Sequence, residues 1–153
     1  MEIEVQKASL SDVEQIRNLI EVHSKANKML PRSLSYLYEN LREYSVVRED
    51  GKVVGCVALH ISWSDLAEVK SLAVHPDYER RGIGSALLGA SIKEAKEMGI
   101  DRIFTLTLEP DFFIKHGFKK IAREKLPMKI WGECIQCPKY PDCDETALEY
   151  RVK

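Results

Sequence analysis

The stretch LAVHPDYERRGIGSALL, Leu72 to Leu88, constrains this chain more than any other. Apolar residues run up to Val74, a Pro-containing charged turn follows, and Gly82 and Gly84 open a segment with helical spacing. A strand that passes through a glycine turn into a helix N-terminus makes an anion site. Free backbone N–H groups and the positive end of the helix dipole point the same way there. Glycines let the backbone approach a phosphate with no Cβ in the path. A lone Gly-x-Gly is equally what a routine surface loop carries. Two familiar phosphate motifs are excluded: Leu87 stands where a dinucleotide fingerprint needs its third glycine, and no P-loop Gly-Lys-Ser/Thr follows.

The rest of the chain alternates between strand and helix patterns without repeats. Ile3 to Ala8 reads as a short first strand. Ser9 to Asn27 reads as a helix, with Ser9 and Asp12 as a capping pair and Leu10, Val13, Ile16 and Ile20 at helical spacing. Pro31 and Ser33 start a second helix, with Leu34, Leu37, Tyr38 and Leu41 on one face. Asp50-Gly51 between two β-branched runs predicts a hairpin. Further strands are predicted at Leu66–Val74, Arg102–Leu108 and Ala147–Val152. A helix ends near Gly99, and a short one spans Pro110 to Gly117. The order predicts an α/β (α+β) fold: one mixed, mostly antiparallel sheet flanked by helices, in a single domain over residues 1–153, with an irregular segment at 127–146.

Composition excludes whole classes of function. With 153 residues, 23 Lys plus Arg and 24 Asp plus Glu, the chain has no basic field to draw a nucleic acid or an anionic membrane. No apolar run reaches the roughly 18 residues that a membrane span requires. The acidic N-terminus lacks a signal-peptide core. A cytoplasmic protein is the expectation, and a homodimer is compatible with it.

The stretch from Glu68 to Leu88 resembles the central motif of the GNAT N-acetyltransferases, a Gln/Arg-x-x-Gly-x-Gly/Ala turn after a strand, and FFIKHGF resembles that family's second signature. The resemblance covers nearly the whole chain. It implies that acetyl-coenzyme A is the co-substrate, with its pyrophosphate held at Arg80, Arg81, Gly82, Ile83, Gly84 and Ser85. Its pantetheine arm would pair with the strand end at Leu72, Ala73 and Val74. Glu79 departs from the Gln/Arg of the motif and is expected to point to solvent. Glu68 matches the position where many members carry a general base, which the chemistry needs because an amine acceptor is largely protonated at neutral pH. Even spacing puts Glu68, Lys70, Leu72 and Val74 on one face of the strand. An exposed strand carboxylate is the structural alternative for Glu68. Phe113 stands where many members carry a tyrosine that protonates the departing thiolate.

A narrower resemblance concerns the acceptor. Met29 to His60 is similar to the acetyltransferase part of N-acetylglutamate synthases, and the tail from Leu126 to Glu145 is similar to that of their short stand-alone forms. This resemblance implies N-acetylation of an amino acid, L-glutamate, as the first step of arginine biosynthesis. Arg32 suits a carboxylate because its planar fork binds one bidentately, and Ser33 beside it offers helix N-terminal donors. Where longer synthases carry a second arginine, this chain has Glu109, so the second cation would be Lys70, His60 or a residue outside these motifs. A non-catalytic acyl-CoA-binding sensor and an acetyltransferase for another small amine stand as alternatives.

The cysteines are a separate question. Cys56 sits in an apolar strand and reads as a core residue. Cys134, Cys137 and Cys143 form C-x2-C-x5-C, a pattern that suggests zinc with a fourth ligand from His116, Asp142 or Asp144. A disulfide or plain thiols would explain the same three residues.

Overall fold

The computed structural model describes residues 2–26, 28–122 and 145–152. Its strands are β1 (Val5–Lys7), β2 (Tyr44–Glu49), β3 (Lys52–Trp63), β4 (Leu66–Val74), β5 (Arg102–Thr107), β6 (Lys119–Lys120) and β7 (Thr146–Arg151). The helices are α1 (Val13–Lys25), α2 (Leu34–Glu39), α3 (Ile83–Glu97) and α4 (Pro110–Lys115). The strands form one sheet in the order β1-β2-β3-β4-β5-β7-β6. Only β4 and β5 run parallel; the other neighbours are antiparallel.

Asp50 and Gly51 have φ of 52° and 78°, the double left-handed turn that lets β2 fold directly back on β3. Each face of the sheet buries its own core. On one side Val57, Leu59, Ala67, Val69 and Ile103 meet Ile83, Leu87 and Leu88 of α3 and Phe113 of α4. On the other side Val46, Cys56, Ala58 and Ala73 meet Val13, Ile16, Leu19 and Ile20 of α1 and Leu37 of α2. Leu87 and Leu88 are fully buried, each contributing roughly 1.5–3 kcal/mol of transfer free energy. Gly55 allows the close approach of α3: a Cβ there would lie 2.7 Å from Cγ2 of Ile83.

Three expectations change. Ser9 and Asp12 do form the capping pair, with the Ser9 N–H donating to Asp12 Oδ2 at 2.8 Å. The first turn is 3-10, however, and leaves Leu10 exposed rather than on the buried face. The second helix is only six residues long, so Tyr38 is exposed and Leu41 belongs to a following 3-10 turn.

The third change is in β4. Glu68 and Lys70 share the face of α1 and α2, but Leu72 and Val74 lie on the opposite face. The strand carries a bulge: Lys70 pairs with Ala58 and Ala73 with Cys56, so Ser71 and Leu72 together oppose Val57. Ser71 takes φ of 57° at this point. One extra residue reverses the alternation beyond it. Strict even spacing therefore fails across Ser71.

Candidate active site

The two parallel strands diverge where chemistry is expected. Pairing of β4 with β5 covers Leu66↔Arg102, Ala67↔Ile103 and Glu68↔Phe104, and no further pair follows among the described residues. Beyond it the strands open around a cavity of about 1060 Å³. Exposed backbone in such a gap must find partners. The buried Thr105 hydroxyl donates to the Val69 carbonyl at 2.8 Å. His23 Nε2 lies 2.7 Å from the Val74 carbonyl.

One end of the cavity is the glycine turn. Arg80 and Gly82 have φ of 64° and 86°, which turn the chain sharply into α3. Gly82 is the helix N-cap; the first amides of α3 have no partner within the helix, and Arg80, Gly82, Ile83, Gly84 and Ser85 line the cavity. α4 closes this end. Ser85 Oγ lies 2.9 Å from His116 Nε2, whose Nδ1 is 2.8 Å from the Phe112 carbonyl. A carbonyl only accepts, so Nδ1 carries the proton in that contact and Nε2 accepts from the Ser85 hydroxyl when the ring is neutral. Arg81 does not line the cavity; its guanidinium sits 5.0 Å from the centre of the Tyr78 ring. Glu79 is exposed at the cavity rim.

Lys28 to Arg32 and Tyr36 form another part of the wall. Two cations flank one ring: Arg32 lies 4.7 Å and Lys70 5.4 Å from the Tyr36 centroid. Such contacts hold a cation without neutralising it. Ser33 is not among the lining residues. Its hydroxyl accepts the Tyr36 N–H at 3.1 Å as the N-cap of α2, a structural use of a residue expected to meet substrate.

Glu68 is 7% exposed and lies on the cavity wall, two residues before Lys70 on β4. The bulge beside it is fixed from behind. The Tyr44 hydroxyl meets Ser71 Oγ at 2.9 Å, and the Cys56 thiol donates to the Ser71 carbonyl at 3.3 Å. Burial drives the Tyr44 phenol well above its ordinary range and the Cys56 thiol up to about 12, so both stay protonated donors at neutral pH. Cys56 is thus a core residue. His60, directly opposite Glu68 in the β3–β4 ladder, is held by Glu43 at 2.6 Å and does not line the cavity. Phe113 lines it with a ring that has no proton to give.

Thr105, Ser71, Tyr44 and His23 take their roles from contacts between distant segments and carry no local signature in the sequence. His116, by sequence a candidate metal ligand, meets Ser85 and the Phe112 carbonyl. Cys134, Cys137, Cys143, Asp142 and Asp144 lie outside the described residues. Among the described residues no group of three His, Cys, Asp or Glu could hold a metal, and no helix is long and apolar enough to cross a membrane.

A splayed parallel strand pair with a glycine turn at its mouth defines a class, and comparison with known proteins agrees. The model of the acetyltransferase (GNAT) family matches residues 10–118. An uncharacterised N-acetyltransferase of Chlorobaculum tepidum is 37% identical over 94% of this chain and 93% of its own length. An amino-acid acetyltransferase of Mycobacterium tuberculosis is 36% identical over 84% of this chain and 75% of its own. Among solved structures, N-acetylglutamate synthase from Neisseria gonorrhoeae, complexed with coenzyme A and N-acetyl-glutamate, superposes with a TM-score of 0.91 at 27% identity. That match covers 100% of this chain but only 36% of the synthase. The chain belongs to the GNAT acetyltransferase family and is by class an N-acetyltransferase.

Proposed function

We infer that the chain transfers the acetyl group of acetyl-CoA to the α-amino group of an amino acid, and that the amino acid is L-glutamate. The observation that carries this reading is the pair of cations, Arg32 and Lys70, over one ring on the wall of the cavity that Glu68 also lines. A dicarboxylate offers each of them a partner. The ligands of the structurally similar Neisseria gonorrhoeae synthase support the same choice. On this reading the reaction is the first step of arginine biosynthesis.

In the proposed mechanism the pyrophosphate of acetyl-CoA meets the amides from Gly82 to Ser85, with Arg80 as counter-charge. The pantetheine arm runs along the open edge of β4 at Leu72, Ala73 and Val74. Glu68 takes a proton from the substrate ammonium. The free amine attacks the thioester carbonyl, the tetrahedral intermediate expels the thiolate, and the C–N bond replaces the C–S bond. The thiolate takes its proton from water, since Phe113 has none. The second amine proton leaves to solvent. Direct attack needs no cysteine nucleophile.

The test is Arg32→Ala. A charge-assisted contact contributes about 1.5–3 kcal/mol, so kcat/KM for glutamate should fall on the order of 10–150-fold with little effect on the KM of acetyl-CoA. Glutamine, which keeps the shape and loses one charge, should be distinctly poorer than glutamate in the wild type. A clear preference for a basic or aromatic amine would overturn the glutamate assignment.

A further inference from the structure

His23 lines the cavity and is bonded to two separate parts of its wall. It lies one turn beyond Ile20, whose buried side chain anchors α1 on the sheet. Its Nε2 is 2.7 Å from the Val74 carbonyl, and a carbonyl only accepts, so Nε2 carries the proton. The direction of that carbonyl follows from its neighbour. The His75 N–H, in the same planar trans peptide unit, donates to Val54 on β3 at 2.7 Å. The Val74 carbonyl therefore points the opposite way, into the gap left by β5. That is where an extended ligand arm would pair with β4, and the protein's own imidazole already occupies the last acceptor of that edge.

The backbone of the same residue makes the second link. The His23 carbonyl accepts the Lys28 N–H at 2.9 Å. Lys28 begins the segment that carries Met29, Leu30, Pro31 and Arg32 along the cavity wall. One residue thus ties the edge of β4 through its side chain and the Arg32 segment through its main chain. These points are 51 positions apart in sequence in the first case and five in the second.

We propose that His23 is a positioning residue that couples the two substrates, setting the Arg32 segment according to how the edge of β4 is occupied. This rests on the reading of the cavity given above, with acetyl-CoA on β4 and the amino acid at Arg32. By linkage, each ligand then tightens the other by the same factor. The imidazole touches neither reacting atom; it acts through Val74 and Lys28.

The experiment is calorimetric titration of CoA, with and without a saturating amino acid that the wild type acetylates. It compares the wild type with His23→Leu and His23→Gln. The wild type should show coupling of about fivefold or more. His23→Leu, of similar bulk but without a donor, should bind CoA alone with little change while the coupling factor falls toward one. His23→Gln, whose amide donates, should restore most of it. A residue that served only stability would move the melting temperature and leave the coupling factor alone. A folded His23→Leu protein with full coupling, or a wild type with none, overturns the proposal. Failure of all twenty amino acids to release thiol would instead bring down the acceptor reading and the proposal with it. Preference for an amino acid other than glutamate would leave the proposal standing.

Discussion

The Thr105 hydroxyl donates to the Val69 carbonyl at 2.8 Å, one residue past the last pair that joins β5 to β4. A parallel strand that leaves its neighbour abandons a row of carbonyls, and here a side chain takes the first of them. The cavity exists because the strands part, and Thr105 lets them part with that buried carbonyl satisfied.

Thr105→Val keeps the shape and removes the donor. An unsatisfied buried carbonyl costs about 1–3 kcal/mol, which at this chain length lowers Tm by roughly 2–4 °C per kcal/mol. Thr105→Ser, which retains the hydroxyl, should lose less. Calorimetric melting of the two variants decides it, and a Thr105→Val protein as stable as the wild type would remove Thr105 from this account.

Ser85→Asp separates cofactor binding from folding. Ser85 is exposed in the first turn of α3, where the favourable interaction of a carboxylate with the helix dipole offsets the lost hydroxyl contact to His116, so Tm should change little. The same carboxylate would face the proposed pyrophosphate. The KM of acetyl-CoA should rise at least about tenfold, equivalent to about 1.4 kcal/mol. An unchanged KM would move the phosphates away from this turn. Gly82 is a less clean probe, because its φ of 86° strains any replacement whatever the ligand does.

Much of this arrangement was legible before the structure. Asp50-Gly51 and the glycines after Val74 mark their turns through backbone demands that few residues meet, and the apolar spacing of Val13, Ile16 and Ile20 marks the buried stripe of α1. The bulge in β4 was not legible. Its left-handed residue is a serine, and the hydroxyl and thiol that hold it belong to Tyr44 and Cys56 on two other strands. Periodicity assumes an unbroken ladder, so it carried Glu68 and Leu72 to one face. Arg32 and Lys70 each suit a carboxylate by charge alone; that both lie over Tyr36 depends on how α2 sits against β4. Ser33 offers donors in the sequence, but a serine before a helix is first a cap.

Glu68→Gln tests the proposed base. The wall of the cavity shields Glu68 from solvent, and the neutral amide fills the same volume without accepting a proton. At neutral pH kcat should fall roughly 10²-fold or more. The sign of the pH effect follows from the acceptor: as pH rises more amine arrives already deprotonated, so the gap to wild type should narrow. A pH–rate profile of both proteins checks this. Near-normal kcat, or a deficit that stays constant with rising pH, would make Glu68 structural.

The central claim is that this cavity acetylates an amino acid with acetyl-CoA, and release of free thiol with each of the twenty amino acids tests it most directly. L-glutamate should give the fastest release, with a product whose mass is that of glutamate plus one acetyl group. Thiol release with none of the twenty would contradict the account.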